Sequence, residues 1–370
     1  MSKIPDRLIT YCSNIHPGET WEETFAALKR HVPIVKAAVA PGHMFPIGLR
    51  LSQRAAEELT ASESERFTDW LRDNQSFVPT INGFPYGSFH NERIKEKVYQ
   101  PDWRCSERTA YTIRLANLLA DWLPEGLTGS ISTVPLGFKG VVSHKDVPYL
   151  QKQLTTVLTR LKWLHLERGK EIILALEPEP GCLLETTEEV CRFFDEMACP
   201  PELRNYLGIC YDCCHQAIAF EEPADSLGRL ADAGIRIAKV QVSSALQWFT
   251  PDPQHAGAFD EPCYLHQVAV RHQNGSITRY ADLSEAVARH QRIQGDEWRC
   301  HFHVPIFLAG TEAYGTTRGF LENLLPLLPA DMLLEVETYT WDVLPADLCC
   351  GSVTDSIIRE IQWLKGCMHA

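Results

Sequence analysis

Glu171-Ile172-Ile173-Leu174-Ala175-Leu176-Glu177 is an apolar run closed by a carboxylate, and Pro178-Glu179-Pro180-Gly181 follows it directly. A short apolar run bounded by Pro and Gly reads as a buried strand. Next comes Thr186-Thr187-Glu188-Glu189, a capping-box pattern that opens a helix running to about Met197. Strand, polar loop, capped helix is the unit that decides the fold.

The unit recurs in both directions. Upstream, strands are expected at Leu8–Ser13, Pro46–Leu51, Phe77–Asn82 and Ser130–Leu136. Downstream they are expected at Tyr206–Asp212, Ile235–Ser243 and Met332–Tyr339. Between them lie helical patterns. Thr20-Trp21-Glu22-Glu23 caps a segment with Phe25, Leu28, Val32 and Val35 at helical spacing. Ser52 is placed to cap Ala55–Leu59, and Ser62-Glu63-Ser64-Glu65 reads as a box before Phe67, Trp70 and Leu71. Further helices are expected at Glu107–Leu123, Leu154–Leu166, Asp225–Ala233, Arg318–Leu328 and Thr354–Leu364.

Alternating strands and helices predict an α/β fold, a (β/α)8 TIM barrel forming a single domain over residues 1–370. A long excursion, residues 245–310, separates strands seven and eight. It holds a hairpin, Tyr264–Arg271 and Ser276–Tyr280 around Asn274-Gly275, and a further strand at Arg299–Ile306. That strand is a ninth, so it is assigned to the excursion. The rival fold is a doubly wound sheet. Against it, no Gly-rich phosphate turn follows the first strand. Polar residues also sit at the ends of several strands, which a barrel brings to one mouth.

A net charge of -13 argues against a nucleic-acid backbone as the main partner. No signal-peptide pattern or membrane-length apolar stretch is seen, so a cytoplasmic protein is expected. Of the 13 cysteines, two pairs are adjacent (Cys213-Cys214 and Cys349-Cys350). They read as small apolar fillers in a reducing compartment.

The late strands end in groups suited to a divalent metal. Glu177 closes strand five. Asp212 and His215 sit three apart at the end of strand six, where one turn brings both to one ion. Asp oxygen with imidazole nitrogen suits Mn, Mg, Zn or Co. His301 and His303 share a face if extended, as in a metal half-site, and His303 is favoured as nearer the strand's end. Glu335 and Glu337 share a face of strand eight. A buried carboxylate needs a partner, either an ion or Lys239. Gln241 has two readings, metal ligand or substrate contact. Glu179 is expected further out than Glu177. Asn14 and His16, after strand one, are candidate substrate contacts, as are Lys239 and His301. The loop Gly83-Phe84-Pro85-Tyr86-Gly87 is expected to line a pocket.

The succession Glu177, Asp212-x-x-His215, Gln241 and Glu337 resembles the xylose isomerase-like barrel superfamily. That group includes sugar isomerases, ketose epimerases, hydroxypyruvate isomerase and endonuclease IV-like enzymes. Val240-Gln241-Val242 looks most like the hydroxypyruvate isomerase branch. The resemblance implies that Glu177, Asp212, Gln241 and Glu337 hold the ion. It implies that His215 sits beside substrate or a second metal, and that Glu177 and Glu337 form the acid/base pair. Three longer segments, Leu8–Glu19, Gly48–Ser52 and His301–Phe307, are similar to the metabolite traffic protein EboE family. That likeness implies a role beside a prenyltransferase-like membrane partner in secondary-metabolite traffic or maturation. The excursion departs from the small isomerases and puts His301 and His303 where they have no counterpart.

Three functions are therefore carried forward. The first is an isomerase- or epimerase-like enzyme acting on a small hydroxy-carbonyl or sugar-like substrate. The second is a metal-dependent hydrolase, phosphodiesterase included, with His215 and His303 on additional ions. The third is a non-catalytic metabolite-binding protein.

Overall fold

The computed structural model describes residues 4–90, 93–249, 253–289, 295–346, 348–349 and 351–369. Cys350 lies outside them. Seven parallel strands come first: β1 (Ile9–Tyr11), β2 (Phe45–Arg50), β3 (Ser76–Asn82), β4 (Gly129–Thr133), β5 (Ile172–Leu176), β6 (Leu207–Asp212) and β7 (Ile237–Val242). A second sheet follows, made of β8 (Ser244–Phe249), β9 (Val268–Arg271), β10 (Ile277–Tyr280), β11 (Glu297–Val304) and β12 (Gly315–Thr316). The last parallel strand is β13 (Leu334–Val336). In space the parallel strands run β1-β13-β7-β6-β5-β4-β3-β2. They form a nearly closed barrel wrapped by helices, the TIM-barrel architecture expected from the alternation.

The barrel closes between β1 and β2 largely through side chains. One parallel bridge joins Cys12 and Gly48. The Thr10 hydroxyl donates to the carbonyl of Pro46 at 2.7 Å and accepts from the Gly48 N–H at 3.1 Å. Ser13 Oγ accepts from the Arg50 N–H at 2.8 Å. Pro46 has no N–H to give a ladder, so hydroxyls take over part of the pairing.

Inside the barrel, Lys239 Nζ lies 2.5 Å from Glu335 Oε2, and both side chains are fully buried. Gly48 makes room for this pair. A Cβ there would sit 1.8 Å from Glu335 Oε1 and 2.6 Å from the Tyr11 carbonyl. Gly48→Ala should therefore destabilise the protein by about 1–3 kcal/mol through overpacking. Denaturant unfolding would measure this, and an unchanged midpoint would refute the close approach.

Local signals placed most helices. Thr20 and Thr186 form complete capping boxes for Trp21–Val39 and Thr187–Asp195, and Ser52 caps Gln53–Glu58. The next helix, Ala61–Asp73, is capped by Thr60, not by Ser62. The helix starts earlier because Thr60 already accepts the Glu63 N–H. The last barrel strand is shorter than the expected Met332–Tyr339. Beyond Val336 the chain turns over the mouth, and Tyr339–Val343 forms a 3-10 turn.

The Arg299–Ile306 segment belongs to the excursion and lies in β11, inside the antiparallel sheet β10-β9-β11-β8-β12. The hairpin is β9–β10, with Gly275 at φ 84° in its turn. This sheet begins two residues after β7, so it grows directly from the mouth. Trp298, Cys300, Phe302 and Val304 enter its own apolar cluster with Trp248 and Phe259. The two-residue period of β11 turns the intervening His301 and His303 the other way, onto the barrel. Six cysteines, Cys12, Cys182, Cys210, Cys213, Cys214 and Cys300, are buried as fillers. Among the described residues no helix is long and apolar enough to cross a membrane.

Candidate functional site

The barrel mouth collects the strand-end residues. Glu177 follows β5, Asp212 ends β6, Gln241 lies on β7 and Glu337 follows β13. Gln241 is in register with both Asp212 and Glu335. His215 sits on the short helix Cys213–Ile218, whose cap is Asp212. All of these are buried, as are His301 and His303.

Four overlapping groups have ligand atoms within 4.8 Å of one another: Glu177/Asp212/Glu337, Asp212/His215/His303, Glu179/His215/His301 and Cys214/His301/His303. They make one continuous set of donors across the mouth. Cys214, set aside on sequence grounds, falls within the last group.

Much of this set lacks partners. Glu177 Oε2, Asp212 Oδ2, His303 Nε2 and both amide atoms of Gln241 are buried without a hydrogen bond. Buried polar groups are nearly always satisfied, and an unpaired buried charge is costlier still. The remaining atoms are held firmly. Asp212 Oδ1 accepts from the His215 N–H at 3.0 Å and from the Ser243 hydroxyl at 2.8 Å. Glu337 Oε1 accepts from Asn14 Nδ2 at 2.8 Å and Asn82 Nδ2 at 3.0 Å.

Burial pushes the Glu177 carboxyl up to about 7, helped by Asp212 beside it. Glu337 is raised well above the usual range by burial and by Glu177 and Asp212. Acids crowded at this depth repel one another and favour a cation among them.

The three histidines are oriented alike. His215 Nδ1 donates to the Pro178 carbonyl at 2.9 Å, and His303 Nδ1 donates to the Glu337 carbonyl at 2.8 Å. His301 Nδ1 donates to Gln267 Oε1 at 2.7 Å. Gln267 is itself fixed, because its Nε2 donates to Pro180 O and to Tyr99 Oη. With each Nδ1 committed to an oxygen acceptor, Nε2 is the nitrogen each ring has left for a ligand. Burial holds His303 down to about 4 and His301 well below its usual value. The Nε2 atoms of His215 and His301 face each other at 3.1 Å.

Other residues depart from the sequence reading. Glu179 is buried in the cavity, not further out. Tyr99 donates to its Oε1 at 2.8 Å, and burial raises its carboxyl to about 8. Lys239, expected at substrate, is one layer down with Glu335 and does not line the cavity. His16, also expected at substrate, lies outside it. It stacks on His31 at 4.1 Å and meets Tyr11 Oη at 3.2 Å. Asn14 and His301 do line the cavity, and so do Phe84 and Pro85 from the glycine-rich loop.

Sequence reasoning missed Asn82, Tyr99, Gln267 and Tyr339. Asn82 and Tyr339 were legible, since each is the last residue of an expected strand. Tyr99 ends a 3-10 turn and Gln267 immediately precedes β9, and no local pattern marks them.

No protein-family model matches the chain, and no curated protein matches it. Solved structures do. An IolI protein with a bound zinc atom shares 12% identity over 98% of this chain and 98% of its own, with TM-score 0.53. A xylose isomerase-like TIM barrel protein from Mycobacterium smegmatis, in complex with magnesium, shares 11% over 97% and 100%, with TM-score 0.51. A D-allulose 3-epimerase from Methylomonas sp. shares 10% over 99% and 100%, with TM-score 0.55. Identity this low speaks for fold alone: this chain has the fold of the xylose isomerase-like TIM barrels.

Proposed function

We propose that Glu177, Asp212, Gln241 and Glu337 hold one divalent cation and that the protein is an isomerase- or epimerase-like enzyme. Its substrate would be a small hydroxy-carbonyl compound. The observation that carries this reading is that Glu177, Asp212 and Glu337 bring ligand oxygens within 4.8 Å of one another, with buried atoms of Glu177, Asp212 and Gln241 left without partners. Mn, Mg, Zn and Co all suit such a set of oxygen donors with imidazole nearby. A bound divalent cation supplies positive charge for negative charge developing on substrate oxygens.

The chain's own residues would handle the proton. Glu337, steadied by Asn14 and Asn82, takes it from the carbon beside the carbonyl. Glu177 returns one to the neighbouring carbon or to the opposite face, so atoms balance within the substrate. His215, with its Nε2 lone pair toward the cavity, orients a substrate hydroxyl by accepting its proton in a hydrogen bond. The second sheet and the mouth loops keep water from the reacting carbon.

One observation favours a second reading. The Nε2 atoms of His215 and His301 lie 3.1 Å apart, placed to share one ion or proton. A further ion there, with Glu179 or His303, would make a multi-ion centre suited to metal-dependent hydrolysis. Counting ions in protein prepared with excess Mn²⁺ or Zn²⁺ separates the two. One ion per chain, lost in Asp212→Asn and kept in His301→Ala, is the result expected for the isomerase. Two or more ions, one of them lost in His301→Ala, would replace it with the hydrolase. A tightly retained small molecule without turnover would make the barrel a metabolite-binding protein.

The likeness of Leu8–Glu19, Gly48–Ser52 and His301–Phe307 to the EboE family extends this proposal to secondary-metabolite traffic with a prenyltransferase-like membrane partner. Co-purification of the full chain with a membrane fraction tests that extension.

A further inference from the structure

The mouth cavity has two unlike zones. Its floor is polar and consists of the carboxylates, imidazoles and asparagines described above. Its roof is not. Phe84, Phe89, Ile94, Val98 and Leu265 line it with hydrocarbon. Tyr99, Tyr264 and Tyr339 also line it, and Tyr339 Oη lies 3.5 Å from His301 Nε2. Tyr99 Oη is engaged by Glu179 and Gln267, and Tyr264 Oη lies 3.1 Å from His90 Nδ1.

The roof is a built structure. Phe89, Ile94, Tyr264 and Tyr339 form an apolar cluster of their own. The loop after β3 is fastened to the excursion, since the N–H groups of Ile94 and Lys95 both donate to the Cys263 carbonyl, at 2.9 and 3.1 Å. His90 fastens the same loop to the barrel, with Nε2 donating to the Asn14 carbonyl at 2.7 Å.

Charge narrows the ligand further. Among the described residues lining the cavity, Lys95 is the one lysine or arginine. Its ammonium is already taken by Asp282 at 2.6 Å. Away from the proposed ion, a phosphate entering here would meet buried carboxylates and no free lysine or arginine.

We infer that the substrate is an uncharged compound with a compact hydroxy-carbonyl head and an apolar ring or alkyl body, rather than a sugar or sugar phosphate. This rests on the metal reading above only for the placement of the head. A polyol carries a hydroxyl on nearly every carbon, and those beyond the head would be pressed against Phe, Ile and Val without partners. An apolar body gains from the same surface.

Four probes share one hydroxymethyl-ketone head: hydroxyacetone, 2-hydroxyacetophenone, erythrulose and dihydroxyacetone phosphate. Calorimetric titration into Mn²⁺-loaded protein should find 2-hydroxyacetophenone at least about tenfold tighter than hydroxyacetone. Erythrulose and the phosphate should bind no tighter than hydroxyacetone. Val98→Asn, at a half-buried roof position, should cut the phenyl advantage to about threefold or less and leave hydroxyacetone unchanged. Erythrulose or the phosphate binding tightest would overturn the inference, as would failure of 2-hydroxyacetophenone to bind. The metal reading fails separately, if hydroxyacetone binds equally well with and without Mn²⁺ while the phenyl preference persists.

Discussion

Glu337→Gln should lower solvent-deuterium incorporation into a hydroxymethyl ketone by about 10²–10⁴-fold, the usual scale of a general acid–base contribution. The amide keeps an oxygen that can accept from Asn14 and Asn82, now at 2.8 and 3.0 Å from Glu337 Oε1. It removes the negative charge and the capacity to hold a proton. Position and shape are thus conserved while the chemistry is lost. The readout is proton NMR of the substrate C–H signal in deuterium oxide, with ion content measured on the same sample. Exchange at the wild-type rate with the ion still bound would remove Glu337 from the proton-transfer role. Loss of the ion together with exchange would show a ligand role and leave the base to be sought at Glu177.

The second large effect is on stability. Lys239→Met should cost about 3–5 kcal/mol, because it strands the Glu335 carboxylate in the barrel interior. That carboxylate is fully buried, and its Oε1 has no other partner. Neighbouring acids make the strain worse, since Glu335 already raises the Glu337 carboxyl and Glu337 lies in the same cluster as Glu177 and Asp212. Adding Glu335→Leu to Lys239→Met should recover most of the loss, because two apolar side chains can replace a buried ion pair at little net cost. Urea unfolding of the two variants reads this directly. A single variant within about 1 kcal/mol of wild type would mean that the pair is hydrated, not buried as described.

The two predictions turn on residues two apart on one strand face, Glu335 and Glu337, and they show where sequence reasoning stopped. Period-two alternation puts both side chains inside the barrel. Order along the strand also puts Glu335 one layer deeper and offers Lys239 as partner to either carboxylate, without saying which one it takes. Depth depends on strand tilt and stagger around the closed barrel, set by pairing between strands far apart in sequence. Lys239 and Gln241 pose the same problem on β7. Neither lines the cavity: Gln241 is in register with Asp212, and Lys239 pairs with Glu335, so a candidate substrate contact is an internal counter-ion. His16 failed for a related reason. It follows a strand end as Asn14 does, but the 3-10 turn Ser13–Ile15 carries it round to His31.

The apolar runs, capping boxes and strand-end carboxylates were written in local sequence, because each is fixed by contacts within a few residues. They were enough to determine a barrel and an excursion before its last strand, and to put Glu177, Asp212, Gln241 and Glu337 at or near strand ends. Alternation from Trp298 to Val304 was also enough to put His301 and His303 on one face. The tertiary structure alone decided what those histidines present. Their Nδ1 protons go to Gln267 and to the Glu337 carbonyl, and that of His215 goes to Pro178, all distant along the chain. It alone buried Glu179 and roofed the mouth with hydrocarbon. Such features arise where three separate loops meet, and no single stretch of sequence carries the signal.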